Sequence, residues 1–273
     1  GKYDITVLHD DSFIISTKDG SSVALEPAYF DKTQDYPAGN PDNKFLVTIQ
    51  NNAVTVNDKG EKVVLTEDLR NGNGRAVKSR IWSPNRVDKF TEPCDAIIWL
   101  MKDATLPPVL KITDPVLASV MGATLATKRT SAERLAAGVD PNALVVEPYA
   151  NPFRTYPLVH DYTKFKQLFE ERKVACYILN TGFFMDKKVT KEITLGSIEK
   201  IVEGKADFKP FGGIDNIYCL DIDGFNADFN DKDYVEQLKA RMIDRINFLT
   251  NNETAKGGFD KLPEEAKAAI EKV

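Results

Sequence analysis

The sequence lacks any uninterrupted apolar run of about 18 residues, the length a membrane-crossing helix needs. It has only two histidines, His9 and His160, too few for a histidine-rich metal site. Its three cysteines, Cys94, Cys176 and Cys219, stand far apart, are odd in number and form no CxxC. Cys176 and Cys219 sit in apolar runs (VACYIL and IYCLDI), so buried, reduced thiols in a cytoplasmic protein are the expectation. GxxxxGK[ST] occurs nowhere, so the chain has no phosphate loop of that kind. Gly1-Lys2-Tyr3-Asp4 does not read as a signal peptide, and neither internal repeats nor low-complexity segments occur. An excess of positive charge is missing too. The net charge of -5 argues against nucleic acid or an anionic membrane as the main partner.

What is present is ordinary globular material. The 273 residues are 42% hydrophobic and 28% charged, enough for one large domain or two small ones. The first hundred residues read as β-rich. Residues 3–8 (YDITVL) form a strand candidate. Residues 12–16 and 21–25 are spaced as a hairpin around Lys18-Asp19-Gly20. Residues 44–49 and 52–56 read as a second pair around Asn51-Asn52, with 62–65 following the Asp58-Lys59-Gly60 turn. Residues 96–100 (AIIWL) are an unbroken apolar run that suits a strand buried on both faces.

The second half mixes helices with strands. Helices are expected over 161–173 with Asp161 as N-cap, over 195–203, and over 231–249. The last carries Val235, Leu238, Met242, Ile246 and Leu249 at helical spacing and is stopped by Asn251 and Asn252. Strands are expected at 174–180 and 216–221. Beyond Gly257-Gly258 and Pro263, residues 264–272 form a polar, loosely docked tail helix. The fold class is mixed α/β, with one lobe around a bent sheet over 1–250 and a tail over 251–273.

Four segments could carry chemistry. Ile5–Leu8 leads into His9-Asp10-Asp11, where adjacent carboxylates repel each other unless a hard cation relieves them; a strand simply leaving the core would read the same way. Arg70, Arg75, Lys78 and Arg80 put four cations within eleven residues around Gly72 and Gly74. They would suit a transferring phosphate, or a solvated turn. Trp99–Val109 runs from a strand into a polar turn and a rigid Pro107-Pro108. Leu179-Asn180-Thr181-Gly182-Phe183-Phe184-Met185-Asp186-Lys187-Lys188 leaves a strand through a glycine turn, its aromatics fit for either a base or the core.

Taken in order, these segments resemble ATP-type phosphoenolpyruvate carboxykinases from just after the phosphate loop onward. Asp10-Asp11 resembles that family's Asp pair, with His9 where glycine is usual. Asn73-Gly74-Arg75-Ala76-Val77 resembles the segment carrying its phosphate-contacting arginine. Asp103-Ala104-Thr105-Leu106-Pro107-Pro108-Val109-Leu110-Lys111 resembles DAFGVLPPVSK, and Gly122-Ala123-Thr124 resembles GYT. Ala150-Asn151-Pro152-Phe153 resembles GAPF, and Tyr177–Phe183 resembles YLVNTGW. The likeness spans most of 5–205. The stretch after NTG is shortened, and Glu192 stands where an arginine is usual.

The resemblance implies a carboxykinase-like nucleotide-binding domain with a mixed, bent sheet flanked by helices. It implies ATP with Mg²⁺ or Mn²⁺ as cofactors, and oxaloacetate and phosphoenolpyruvate as partners of the full-length protein. Asp11 is implied as a direct metal ligand and catalytic residue, Asp10 as a ligand to a metal-held water or the nucleotide. Arg75 is implied as the catalytic cation, and Thr181, Gly182 and Ile193 as the base pocket. The 273-residue chain by itself is expected to have no turnover, since it lacks the phosphate loop and the substrate lobe. A kinase sharing the fold, a nucleotide-binding pseudoenzyme and a non-enzymatic interaction domain are the alternatives.

Overall fold

The computed structural model describes residues 2–8, 12–26, 28–32, 49–50, 54–64, 75–79, 85–129, 137–140, 142–255 and 257–273. Two compact units meet at Cys94–Asp95. Residues 251–273 belong to the second unit rather than standing apart as a tail.

The first unit is built of short antiparallel strands. β1 (Phe13–Ile15) and β2 (Ser22–Ala24) form the expected hairpin, with β8 (Lys89–Phe90) beside β2. Gly20 closes its turn at φ 76°, where a Cβ would come within 2.9 Å of Pro93. β3 (Ala28–Lys32), β4 (Ile49–Gln50) and β7 (Arg75–Ser79) make a second sheet, with β7 central. β5 (Val54–Val56) pairs with β6 (Lys62–Val64) across a turn in which Asn57 Oδ1 accepts from the amides of Lys59 and Glu61. Of the expected pairing of 44–49 with 52–56, residues 44–48 and 51–53 lie outside the described residues; Ile49 is in register with Ala76, and Val54 with Val64. Residues 3–8 are not a strand. Among the described residues they make one bridge, Val7 to Arg86, and Ile5 is exposed.

The second unit holds a five-stranded mixed sheet. Its order is β16 (Phe208–Pro210), β17 (Ile217–Leu220), β10 (Val109–Ile112), β13 (Ala175–Asn180) and β9 (Ala96–Met101). Only β9 and β13 run parallel; the other neighbours are antiparallel. β13 is buried almost throughout, as a central strand should be. β9 alternates: Ile97, Trp99 and Met101 are buried, whereas Ile98 and Leu100 are 38% and 56% exposed. The expectation of burial on both faces fails because β9 is the outermost strand of this sheet.

Among the described residues five α-helices flank the sheet: α1 (Pro115–Ala123), α2 (Leu158–Glu171), α3 (Lys191–Val202), α4 (Lys232–Ala255) and α5 (Glu264–Glu271). Small pairs, β11 (Ala126–Lys128) with β12 (Leu144–Val146) and β14 (Phe183–Phe184) with β15 (Lys187–Lys188), fill the connections. α1 packs on α2 and α5. Ile198 and Ile201 of α3 pack against Val109, Leu179 and Leu220 on the sheet. α2 starts at Leu158 rather than at an Asp161 cap. Pro157 precedes it, and its first amide is bonded by Asp260 Oδ1 at 3.1 Å. Asp260 also receives a two-pronged bond from Arg154, at 2.6 and 3.0 Å. α4 runs on through Asn251 and Asn252 to Ala255. α5 is firmly docked: Ala266 and Ile270 are fully buried, and Glu265 accepts from Tyr162 and Lys166 of α2 at 2.8 Å each. Among the described residues no helix is long and apolar enough to cross a membrane.

An aromatic cluster joins sheet to helices. Trp99 meets Tyr149, Phe165 and Phe169 edge-on, and its Nε1 donates to the Ala118 carbonyl of α1 at 3.0 Å. Gly122 permits this approach, because a Cβ there would lie 2.7 Å from Trp99 Cζ2 and 2.8 Å from Tyr149 Cε1. Both rings are tethered, Trp99 by Ala118 and Tyr149 by Ser119. The cost of overpacking, about 1–3 kcal/mol, should exceed the gain of up to about 1 kcal/mol from removing a helical glycine. Gly122→Ala is therefore expected to lower the urea midpoint. Gly196→Ala in α3, where a Cβ meets nothing within 4 Å, is expected to raise it. Equal shifts for both would overturn this account of the cluster.

Candidate functional site

Of the residues expected to carry chemistry, Asp10 and Asp11 lie outside the described residues, as does most of the Arg70–Arg80 loop. Arg75 opens β7, its backbone in register with Lys32 and Gln50. Thr181, Gly182 and Ile193 are described and belong to the second unit, where Val189 N–H donates to the Gly182 carbonyl and Ile193 N–H to Thr190, so the start of α3 adjoins the turn.

That neighbourhood is the carboxyl end of the two parallel strands. β9 ends at Met101 and β13 at Asn180, and these two residues are register partners. The loops leaving them, 102–108 and 181–182, run side by side. Thr181 N–H donates to the Met101 carbonyl at 2.9 Å. Gly182 packs against Lys102, where a Cβ would lie 3.3 Å from the lysine Cβ. Open α/β sheets commonly receive ligands at this end, beyond the carboxyl termini of parallel strands.

Asn180 binds the two loops. It is 1% exposed. Its Nδ2 lies 2.8 Å from the Asp103 carbonyl oxygen, 2.6 Å from that of Leu106 and 2.7 Å from that of Phe183. Its Oδ1 accepts from Gly182 N–H at 3.1 Å, closing a turn through its own side chain. An amide is the right group here because one end donates and the other accepts.

Beneath this node lies a buried ion pair. Asp103 and Arg245 are both almost fully buried. Arg245 Nη2 donates to Asp103 Oδ2 at 2.7 Å, and Arg241 Nε stands 3.7 Å from the same oxygen. Asp103 Oδ1 accepts from Thr105 N–H at 3.1 Å and from Thr105 Oγ1 at 2.8 Å. Arg245 Nη1 donates to the Thr124 carbonyl, and Tyr234 Oη donates to the Thr105 carbonyl at 3.0 Å. Burial pushes the Asp103 carboxyl up, but Arg245, Arg241 and the Thr105 hydrogen bonds together hold it below the usual carboxylate range. Burial lowers the Arg245 guanidinium, with Asp103 opposing. An arginine stays charged even so.

The segment after Gly182 folds back at once. β14 and β15 are joined by Met185, at φ 51°, and Asp186. The Met185 N–H donates to the Ala104 carbonyl at 2.7 Å, tying this hairpin to the loop after β9. Phe184 is core, edge-on to Tyr234, whereas Phe183 is exposed. Gly182 then accepts from Val189 N–H at 2.9 Å, which brings the start of α3 alongside. Thr190 caps α3 by accepting from Ile193 N–H at 3.4 Å, and the helix begins at Lys191, four residues before the expected start at 195. Glu192 is exposed in the first turn. Backbone hydrogen bonding and Thr190 hold its carboxyl below the usual range, and an acid at a helix start is favourable. Lys102, Lys187, Lys188 and Lys191 are exposed on the same segments, and Lys187 Nζ donates to the Gly224 carbonyl.

Sequence reasoning missed Asp103 and Arg245 as a pair. Arg245 interrupts an apolar stripe, which reads as a solvated break, and only the fold brings position 103 to it. Among the described residues, no group of three or more His, Cys, Asp or Glu is placed to hold a metal ion. No protein-family model matches the chain, and no curated protein matches it.

The ion pair generates a prediction. Asp103→Asn or Arg245→Met alone leaves a buried charge uncompensated and should cost about 3–5 kcal/mol. The double change should cost clearly less than the sum. The pH dependence follows from the lowered carboxyl. The pair's contribution is complete above the unfolded value of about 3.9 and is lost as pH falls through the still lower folded value. Urea titrations from pH 3 to 7 check both; additive single and double effects would show that the charges do not interact.

Proposed function

We propose that this chain is the nucleotide- and metal-binding part of an ATP-type phosphoenolpyruvate carboxykinase of divergent sequence, acting in the full-length protein on oxaloacetate. The supporting observation is the meeting of two segments that carry the resemblance. The LPPV loop and the NTGF turn lie 74 residues apart in sequence at the Asn180–Leu106 hydrogen bond, yet adjoin at the carboxyl end of the parallel strands. That is where an α/β sheet receives a ligand, and Thr181, Gly182 and the capped start of α3 with Ile193 border the same place.

In this reading the Thr181–Gly182 turn receives the base and ribose side of ATP. Gly182, its N–H and carbonyl bonded to Asn180 and Val189, presents a face without a side chain beside Lys102, and the Thr181 hydroxyl, which donates to the Met101 carbonyl, can still accept. Asp10 and Asp11 are hard oxygen donors, suited to Mg²⁺ or Mn²⁺. A bound divalent ion would supply charge neutralisation for the phosphates. Arg75 would neutralise charge on the γ-phosphoryl group as the enolate oxygen, formed when oxaloacetate loses CO₂, attacks phosphorus and ADP leaves. Such preorganised charge is worth several kcal/mol of barrier.

One observation favours a second reading, a nucleotide-binding pseudoenzyme. Glu192 puts an exposed carboxylate beside Ile193, in the stretch that the resemblance assigns to the adenine clamp and where an arginine is usual. Two measurements on the full-length protein separate these readings. Oxaloacetate-dependent ATP consumption is expected, with Asp11→Asn and Arg75→Ala each lowering the rate at least about 100-fold. Losses below tenfold for both would reject the residue assignment. Mn²⁺-ATP binding without decarboxylation would replace the enzyme with the pseudoenzyme, and calorimetry showing no nucleotide binding would reject both.

A further inference from the structure

We infer that Asn180 is the positioning residue of this site: its buried side-chain amide sets the separation of the 102–108 loop and the Thr181–Gly182 turn, and so the shape presented to the nucleotide. The nucleotide part of this inference rests on the function proposed above. Three carbonyl oxygens, of Asp103, Leu106 and Phe183, converge within 2.6–2.8 Å of one Nδ2. Carbonyl dipoles aimed at one point repel each other, so a donor must stand there for the loops to approach. The oxygen of the same amide holds Gly182 N–H at 3.1 Å. Gly182 O in turn receives Val189 N–H, and Thr190 next to it caps α3. Asn180 thus reaches Ile193 through a chain of hydrogen bonds. None of these atoms needs to touch a ligand for the side chain to govern the fit.

Asn180→Asp is the informative change, since it keeps size and the acceptor for Gly182 while replacing the donor. An ionised carboxylate would face three carbonyl oxygens and push the loops apart. A protonated one could again donate. The surroundings therefore favour the protonated acid, by burial and by the carbonyl dipoles. The titratable groups around position 180 are Asp103 and Lys102 on the loop after β9, and Tyr234, Arg241 and Arg245 on α4. Asp103 is held below the usual carboxylate range, burial holds Tyr234 up, and the arginines stay charged. Asp103 and Tyr234 are both moved away from the window between pH 6 and 8, so neither gives the native protein a matching transition there.

The test measures Mn²⁺-ATP binding to the full-length protein and to its Asn180→Asp form, by calorimetry at pH 8 and pH 6. At pH 8 the variant is expected to bind at least about tenfold more weakly than the native protein. The ratio should shrink at pH 6. Amide exchange at Gly182 and Val189, compared with native protein at the same pH, should accelerate at pH 8 and return towards native at pH 6. Equal binding and equal exchange at both pH values would overturn the positioning role while leaving the proposed function standing. A native protein that is folded but binds no nucleotide would overturn the proposed function and the nucleotide part of this inference. The exchange data then decide the rest: pH-dependent acceleration supports the positioning role, and native-like exchange overturns it. Global unfolding of the variant, read as exchange lost equally across β13 and α4 at both pH values, would also count against a local positioning role.

Discussion

The second unit is organised around a charge that has no water. Asp103 sits where β9 has just ended, buried, and must be satisfied by the protein itself. An uncompensated carboxylate there would cost several kcal/mol, comparable to the whole net stability of many domains. The fold answers with Arg245, Arg241 and Thr105. Because Arg245 projects from α4, the longest helix is held in one rotational setting against the end of β9. Tyr234, three turns earlier on the same helix, follows by bonding the Thr105 carbonyl. Arg245 also reaches the Thr124 carbonyl, just after α1. A single pair thus ties the ends of β9 and α1 to the middle of α4. A pair of apolar residues could fill the same volume but would accept many rotations of α4.

The same economy governs the strand ends above it. Where parallel strands stop, their loops carry backbone groups without ladder partners, and each needs one when buried. Asn180 supplies several at once. Met185 N–H with Ala104, and Val189 N–H with Gly182, supply the others. Met185 accepts a left-handed backbone to do so, a conformation that a side-chain-bearing residue adopts only when its surroundings demand it. The hairpin after Gly182 is short, so α3 begins immediately beside the turn.

Much of the local structure was legible because local chemistry decides it. The β1–β2 hairpin follows from Lys18-Asp19-Gly20, and β13 and β17 from apolar runs with turns at their ends. The second unit's mixed α/β character followed from the alternation of patterns. Where the sequence misled, a distant residue had intervened. Asp161 looked like a helix cap, but Asp260, about a hundred positions away, bonds the first amide of α2. Asn251 and Asn252 looked like a stop, but α4 passes through them, with Lys267 of α5 bonded to Glu253 at 2.8 Å. β9 looked fully buried because periodicity cannot tell an edge strand from a central one. α1 went unread, since PVLASVMGA is apolar almost all round and shows no face. For the candidate site, the Thr181–Gly182 turn stood out as a glycine turn after an apolar run, whereas its base-pocket role and Ile193 came from resemblance. Their proximity is a finding of the fold, and the buried pair and the Asn180 node beneath them had no local signal.

The construction of this region separates shape from attraction. The turn at Thr181–Gly182 is held by a buried amide, backbone hydrogen bonds and an ion pair with almost no exposure. Such contacts are little affected by salt, because mobile ions cannot enter between the partners. Lys102, Lys187, Lys188 and Lys191 are exposed instead, and any pull they exert on a phosphate is screened over about 8 Å at physiological ionic strength. Glu192 opposes that pull from the same helix start. Attraction can therefore be altered by single surface substitutions without disturbing the turn. A site built this way keeps its shape when its surface charge is changed.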